Sequence, residues 1–106
     1  MFVFNRIFPL FYRSVVVGIK EEVEIVNELG MHARAAGAFV KTSEKFRSEI
    51  KVSKDGMEVN GKSIMGLMML AACKGSFIVL SVKGEDESDA CAALKELIAN
   101  RFGEER

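Results

Sequence analysis

The stretch Gly30-Met31-His32-Ala33-Arg34-Ala35-Ala36 decides how this chain is read, because it marks the junction of a strand and a helix. Ahead of it, Glu22-Val23-Glu24-Ile25-Val26 alternates polar and apolar residues, as a half-buried strand does. Behind it, residues 33–46 are rich in alanine and read as a helix. Gly30 suits a tight turn between the two, since glycine reaches positive φ without a Cβ penalty. His32, the sole histidine, therefore falls at or just before the first helical turn. Backbone N–H groups without intrahelical acceptors collect there, and the helix dipole adds partial positive charge, so an anion is stabilised. Arg34 adds a permanent cation whose forked donors match phosphate. An imidazole beside such a pocket can accept a phosphoryl group, hold it and pass it on. On position alone, a capping or surface role is the commoner fate of a histidine at a helix start. A lone histidine with no cysteine at ligand spacing does not make a zinc site, so no metal and no cofactor are expected.

Length and composition narrow the field. A chain of 106 residues holds one core, and 49% apolar with 28% charged residues is an ordinary soluble balance. Net charge is zero, which argues against a nonspecific nucleic-acid binder. Cys73 and Cys91 have no metal spacing and read as free thiols in a reducing compartment. Residues 1–19 differ from the rest, with Phe2, Phe4, Phe8, Phe11 and the sole proline, Pro9. Arg6 and Arg13 interrupt that run too often for a membrane span, and it lacks a clean signal-peptide core. It reads as an N-terminal extension, with residues 20–106 as the domain. The extension is a flexible tail, a weak membrane-surface anchor or, as favoured here, sequence ahead of a misassigned start. Intact mass of the natively expressed protein distinguishes these.

Further along, the pattern predicts a first strand at 21–26 and a first helix at 33–46. In that helix Ala36, Phe39, Val40 and Ser43 share the packed face, and Lys41 and Lys45 face solvent. A second strand is predicted at 48–53, a hairpin turn at Lys54-Asp55-Gly56 and a short third strand at 57–60. Ser63 is a good N-cap for the apolar run 64–72, with Gly75 ending that helix. At least half of Ile64, Met65, Met68 and Met69 are expected in the core. A last strand at 77–82 puts Ile78, Leu80 and Val82 on one face, and Asp86 caps a final helix running to about residue 102. Residues 103–106 read as a polar tail. The order β-α-β-β-α-β-α suggests an α+β sandwich.

The opening stretch resembles the active-site signature of the HPr family, the histidine-containing phosphocarriers of the bacterial phosphotransferase system, which usually reads Gly-Leu-His-Ala-Arg-Pro-Ala. Lys62-Ser63-Ile64-Met65-Gly66-Leu67-Met68 is similar to the family's regulatory serine region. Lys74-Gly75, the strand after it and Gly84-Glu85-Asp86-Glu87 resemble its last strand and turn. The three segments stand in family order and spacing. One departure is Ala35 in place of the family's proline; alanine is also a good helix former, so the helix is expected to survive.

The resemblance implies an open-faced β-sandwich, a four-stranded antiparallel sheet with three helices on one face. It implies a cytoplasmic, monomeric phosphoryl carrier rather than a free-standing enzyme. His32 would accept the group from phospho-enzyme I, ultimately from phosphoenolpyruvate, and pass it to enzyme II A-type components. Arg34 would stabilise the phosphoryl oxygens, and Ile64 and Met65 would meet the partners. Ser63 would be the target of an HPr serine kinase/phosphorylase. The competing reading is a regulatory binding module, a nitrogen-type or carbon-catabolite-type relative that controls a kinase or transcription factor. A purely regulatory form need not keep the histidine, and this chain keeps it.

Overall fold

A computed structural model describes residues 18–106, so most of the extension read at 1–19 lies outside the described residues. Alternation is the local cause of the sheet. Strand β1 (Ile19–Glu24), β2 (Glu49–Lys54), β3 (Met57–Asn60) and β4 (Phe77–Lys83) form one antiparallel sheet in the order β1-β4-β2-β3. Ile78, Leu80 and Val82 of β4 and Ile50 and Val52 of β2 all point to the helical side and are buried. Lys20, Glu22, Glu24 and Lys51 lie exposed on the other face. Val82 pairs with both Ile19 and Ile50, which fixes the register across the three strands that carry most of the core. The β2–β3 turn works as its sequence suggested, with Asp55 and Gly56 both at positive φ (50° and 86°).

Three helices cover the apolar face. Helix α1 (Ala33–Ser43) contributes Ala36, Phe39, Val40 and Ser43, the four residues picked out by their spacing, and Ala35 is buried with them. Helix α2 (Ile64–Met69) contributes only Leu67. Helix α3 (Glu87–Ala99) contributes Ala90, Cys91, Leu94 and Ile98. Each fully buried leucine or isoleucine gains about 1.5–3 kcal/mol over an exposed one. Lys95 Nζ of α3 donates to Glu21 Oε1 of β1 at 2.6 Å, tying the last helix to the sheet edge.

Several boundaries differ from the sequence expectation for physical reasons. Helix α1 stops at Ser43 rather than at 46, because Lys45 N–H and Phe46 N–H turn back to Thr42 O and Ser43 O in tighter turns. Helix α2 stops at Met69, and Ala71 rather than Gly75 takes the left-handed conformation (φ 50°) that ends it. That early break lets both Leu70 and Ala72 reach the core. Gly75 instead turns the chain into β4, its N–H donating to Ile25 O at 2.7 Å. Ile64, Met65, Met68 and Met69 are all exposed, which corrects the expectation that at least half would be core. Leu67 and Leu70 supply that burial instead, and the short helix presents its other faces outward. Asp86 stands at the N-cap of α3 without capping it; its carboxylate accepts from the N–H groups of Arg47 and Ser48 and from Ser48 Oγ. Past Ala99 the chain leaves the helix. A 3-10 turn, Arg101–Gly103, holds Arg101, Phe102 and Gly103 at positive φ, and the Phe102 side chain is buried.

Candidate active site

His32 is the N-cap residue of α1, in extended backbone (φ −83°, ψ −179°). Three successive N–H groups lead into the helix, each with an acceptor. Gly30 N–H donates to Asn27 O, Met31 N–H to Ala72 O at 2.8 Å and His32 N–H to Gly30 O. Gly30 has two separate reasons to be glycine. Its φ is 67°, and a Cβ there would lie 2.4 Å from Ala72 O and 2.8 Å from Cys73 Cα. The loop that leaves α2 therefore presses directly on the turn that carries His32.

The helix start meets the electrostatic expectation. The His32 side chain makes no capping bond. Ala36 N–H is the first to reach back, donating to His32 O at 2.8 Å, so the N–H groups of Ala33, Arg34 and Ala35 have no acceptor among the described residues. A proline at Ala35 would lose no hydrogen bond, which accounts for either residue serving there.

An open cleft of about 820 Å³ lies beside this start, lined by Leu29, His32, Arg34, Glu104 and Arg106 among others. His32 and Arg34, predicted together, do line one site. Ser63 does not: it caps α2 at the other end of that helix, its Oγ accepting from Gly66 N–H at 3.0 Å, as its type and position suggested. Ile64 and Met65 follow it, exposed, with Met65 at 75% and Leu29 beside His32 at 69%.

Sequence reasoning missed two residues of the site. Glu104 of the supposed polar tail brings Oε2 onto His32 Nε2. Its other oxygen accepts from Asn27 Nδ2 at 2.9 Å, and the same amide nitrogen also donates to Gly30 O at 2.9 Å. Asn27 is fully buried, and its Oδ1 has no partner among the described residues. Burial pushes the Glu104 carboxyl up. The bonds from Asn27 and His32 and the charges of His32 and Arg34 outweigh that and hold it below the ordinary value of 4.5. A polar residue just before the Gly30 turn was a weak signal for Asn27. Nothing local marks Glu104, which lies 72 residues from its partner.

The arrangement places a partly exposed imidazole, one ring nitrogen taken by a carboxylate, next to an arginine and helix-end amides that have no acceptor among the described residues. It suits reversible capture of a phosphoryl group. Among the described residues no helix is long and apolar enough to cross a membrane. A family model described as "PTS HPr component phosphorylation site" matches residues 19–100. The phosphocarrier protein HPr of Neisseria meningitidis serogroup A is 54% identical over 86 residues, 81% of this chain and 97% of that protein. Among solved structures, HPr of Thermoanaerobacter tengcongensis superposes with a TM-score of 0.80 at 48% identity, covering 83% of this chain and 99% of that one. A dimer of HPr from the same organism gives 0.66 at 50% identity, covering 77% of this chain and 94% of that one.

Proposed function

The chain belongs to the HPr family of phosphocarriers of the phosphotransferase system, and we propose that His32 is the residue that carries the phosphoryl group. Carriage of phosphoryl groups in that system is the activity the family gives it. The observation that supports His32 is its place as the N-cap of α1, with Arg34 and three amides that lack an acceptor among the described residues beside it. Neutral imidazole, with an unperturbed pKa of about 6.5, is a competent nucleophile at neutral pH. Arg34 and the amides balance the charge of the bound phosphoryl oxygens.

Enzyme I is the donor in this proposal, and A-type components of enzyme II are the acceptors. They meet the carrier on an apolar surface that includes Ile64 and Met65, both exposed on α2. Methionine is adaptable, which suits a surface that serves more than one partner. Ser63 is proposed as a regulatory phosphorylation site for an HPr serine kinase/phosphorylase, a modification that leaves the helix cap in place. The carrier acts as a monomer in the cytoplasm, and light scattering separates that state from the dimer seen in one relative. The retained histidine favours carriage over the purely regulatory module.

The test is incubation with phosphoenolpyruvate and enzyme I, followed by mass spectrometry. Wild type should gain one acid-labile, alkali-stable phosphoryl group on His32, and His32→Ala should gain none. A label that persists in His32→Ala refutes the assignment.

A further inference from the structure

We propose that the end of the sheet where residues 1–17 join it, together with the side chains of those residues, is a reversible docking surface for anionic lipid, and that the protein rests there with the cleft of His32 turned to water. Composition alone favours a misassigned start for residues 1–19. The surface that the chain presents where they join it favours the membrane-surface anchor.

Three observations carry it. First, residues 1–17 hold Arg6 and Arg13, no carboxylate, and five of the nine aromatic residues of the chain. Aromatic rings favour the boundary between headgroups and acyl chains, and basic side chains favour anionic headgroups. Second, Lys20, Lys51 and Lys83 lie exposed at the end of the sheet where Gly18 enters it. The register puts them on one face: Ser81 pairs with both Lys20 and Lys51, and Lys83 follows two residues on. A Cβ at Gly18 would lie 3.8 Å from the Lys83 Cβ, so the chain enters directly beside that lysine. Together these residues line a hollow of about 290 Å³. Glu49 is the carboxylate in its wall, and it stands 3.8 Å from Lys51, which leaves Lys20 and Lys83 as the cations that face outward.

Third, the charge reverses along the same face. Glu22 and Glu24 stand exposed further down β1. A negative surface attracts the lysine end and repels the glutamate end, so it orients the molecule as well as holding it. β1 runs from the lysine end toward the His32 loop over a distance on the order of 20 Å. The nucleophile therefore faces away from lipid and stays open to protein partners. The basic residues are few and the aromatic run is interrupted, so the attachment is reversible rather than an insertion. The inference does not depend on what His32 carries.

The experiment uses the full chain and flotation with vesicles of phosphatidylcholine containing one third phosphatidylglycerol. The chain should float with them at low ionic strength, come off as salt is raised, and stay behind with pure phosphatidylcholine. Arg6→Gln with Arg13→Gln, and separately Lys20→Gln with Lys83→Gln, should each weaken binding roughly tenfold or more. Lys20→Arg with Lys83→Arg keeps the charge and should bind as wild type does. A fluorophore on Cys73, exposed beside the His32 turn while Cys91 is buried, should remain open to aqueous iodide on the vesicle. No flotation, binding that ignores lipid charge, full-strength binding by either glutamine pair, or a Cys73 probe shielded by lipid overturns the proposal. So does a natively expressed protein whose intact mass lacks residues 1–14, or a full chain that self-associates through Lys20 and Lys83 instead of floating.

Discussion

Met31 N–H donates to Ala72 O at 2.8 Å, so the segment that carries His32 is bonded to the segment that leaves α2. The turn that carries His32 and the loop that leaves α2 are therefore one mechanical unit, with no room for a Cβ between them at Gly30. Gly30→Ala should separate them. The added Cβ meets Ala72 O, and alanine pays the cost of a positive φ as well. The loss of stability should exceed about 1 kcal/mol, read as a lower urea midpoint, with slower labelling of His32. An unchanged midpoint would mean the two segments part without cost.

Arg34 is exposed in the cleft beside His32. Arg34→Ala should slow phosphoryl transfer more than Lys45→Ala, which removes an equally exposed cation from further along the chain. Arg34→Lys should recover only part, because an ammonium lacks the guanidinium fork. Equal rates for all of these would show that Arg34 is merely solvated.

Most of the fold was legible because it rests on local pattern. Alternation in β2 and β4 and the spacing of Phe39 and Val40 each follow from a period that any short window displays. The Ser63 cap and the Asp55-Gly56 turn follow from residue type. What stayed hidden was decided by tertiary context. The end of α2 was set by the burial of Leu70 and Ala72 on either side of Ala71, not by the glycine further on. Composition puts at least half of Ile64, Met65, Met68 and Met69 in the core, yet a six-residue helix packs only Leu67. Asp86 looked like a cap and became an anchor for Arg47 and Ser48, and Glu104 looked like tail and reached the site. In both cases the partner lies far off in sequence.

Ser63 offers a way to separate a structural from a regulatory role. Ser63→Asp keeps an oxygen for Gly66 N–H and adds charge next to exposed Ile64 and Met65. Its melting temperature should hold while transfer from enzyme I slows. Ser63→Ala should lose roughly 1 kcal/mol of stability and still transfer well. A Ser63→Asp variant as fast as wild type would reduce Ser63 to a cap.

Asp86 gives the fold a dependence on acid. The Ser48 hydroxyl first, then Arg47 N–H, bond the carboxylate and hold its pKa below the ordinary 3.8. The folded chain thus binds this proton more weakly than the unfolded chain. The stabilisation is complete above the ordinary carboxylate value and is lost as pH falls through the depressed one. Below about pH 4, melting temperature should drop more steeply in wild type than in Asp86→Asn. At neutral pH the variant should be the less stable of the two. Parallel acid limbs would show that the bonds to Ser48 and Arg47 do not favour the ionised form.

The run of left-handed residues after α3 also governs how the protein can be handled. It brings Glu104 and Arg106 to the cleft that His32 lines, whereas Ile19 pairs with Val82 at the end of β1 away from the His32 loop. The length of β1, on the order of 20 Å, separates that entry point from the active-site end of the sheet. An affinity tag or fluorophore joined behind Arg106 starts at the cleft that His32 lines and would obstruct the partners proposed to meet it there. The same appendage placed ahead of Ile19 leaves from the far end of β1. Kinetics measured on a carboxy-terminal fusion would therefore report the fusion as much as the carrier.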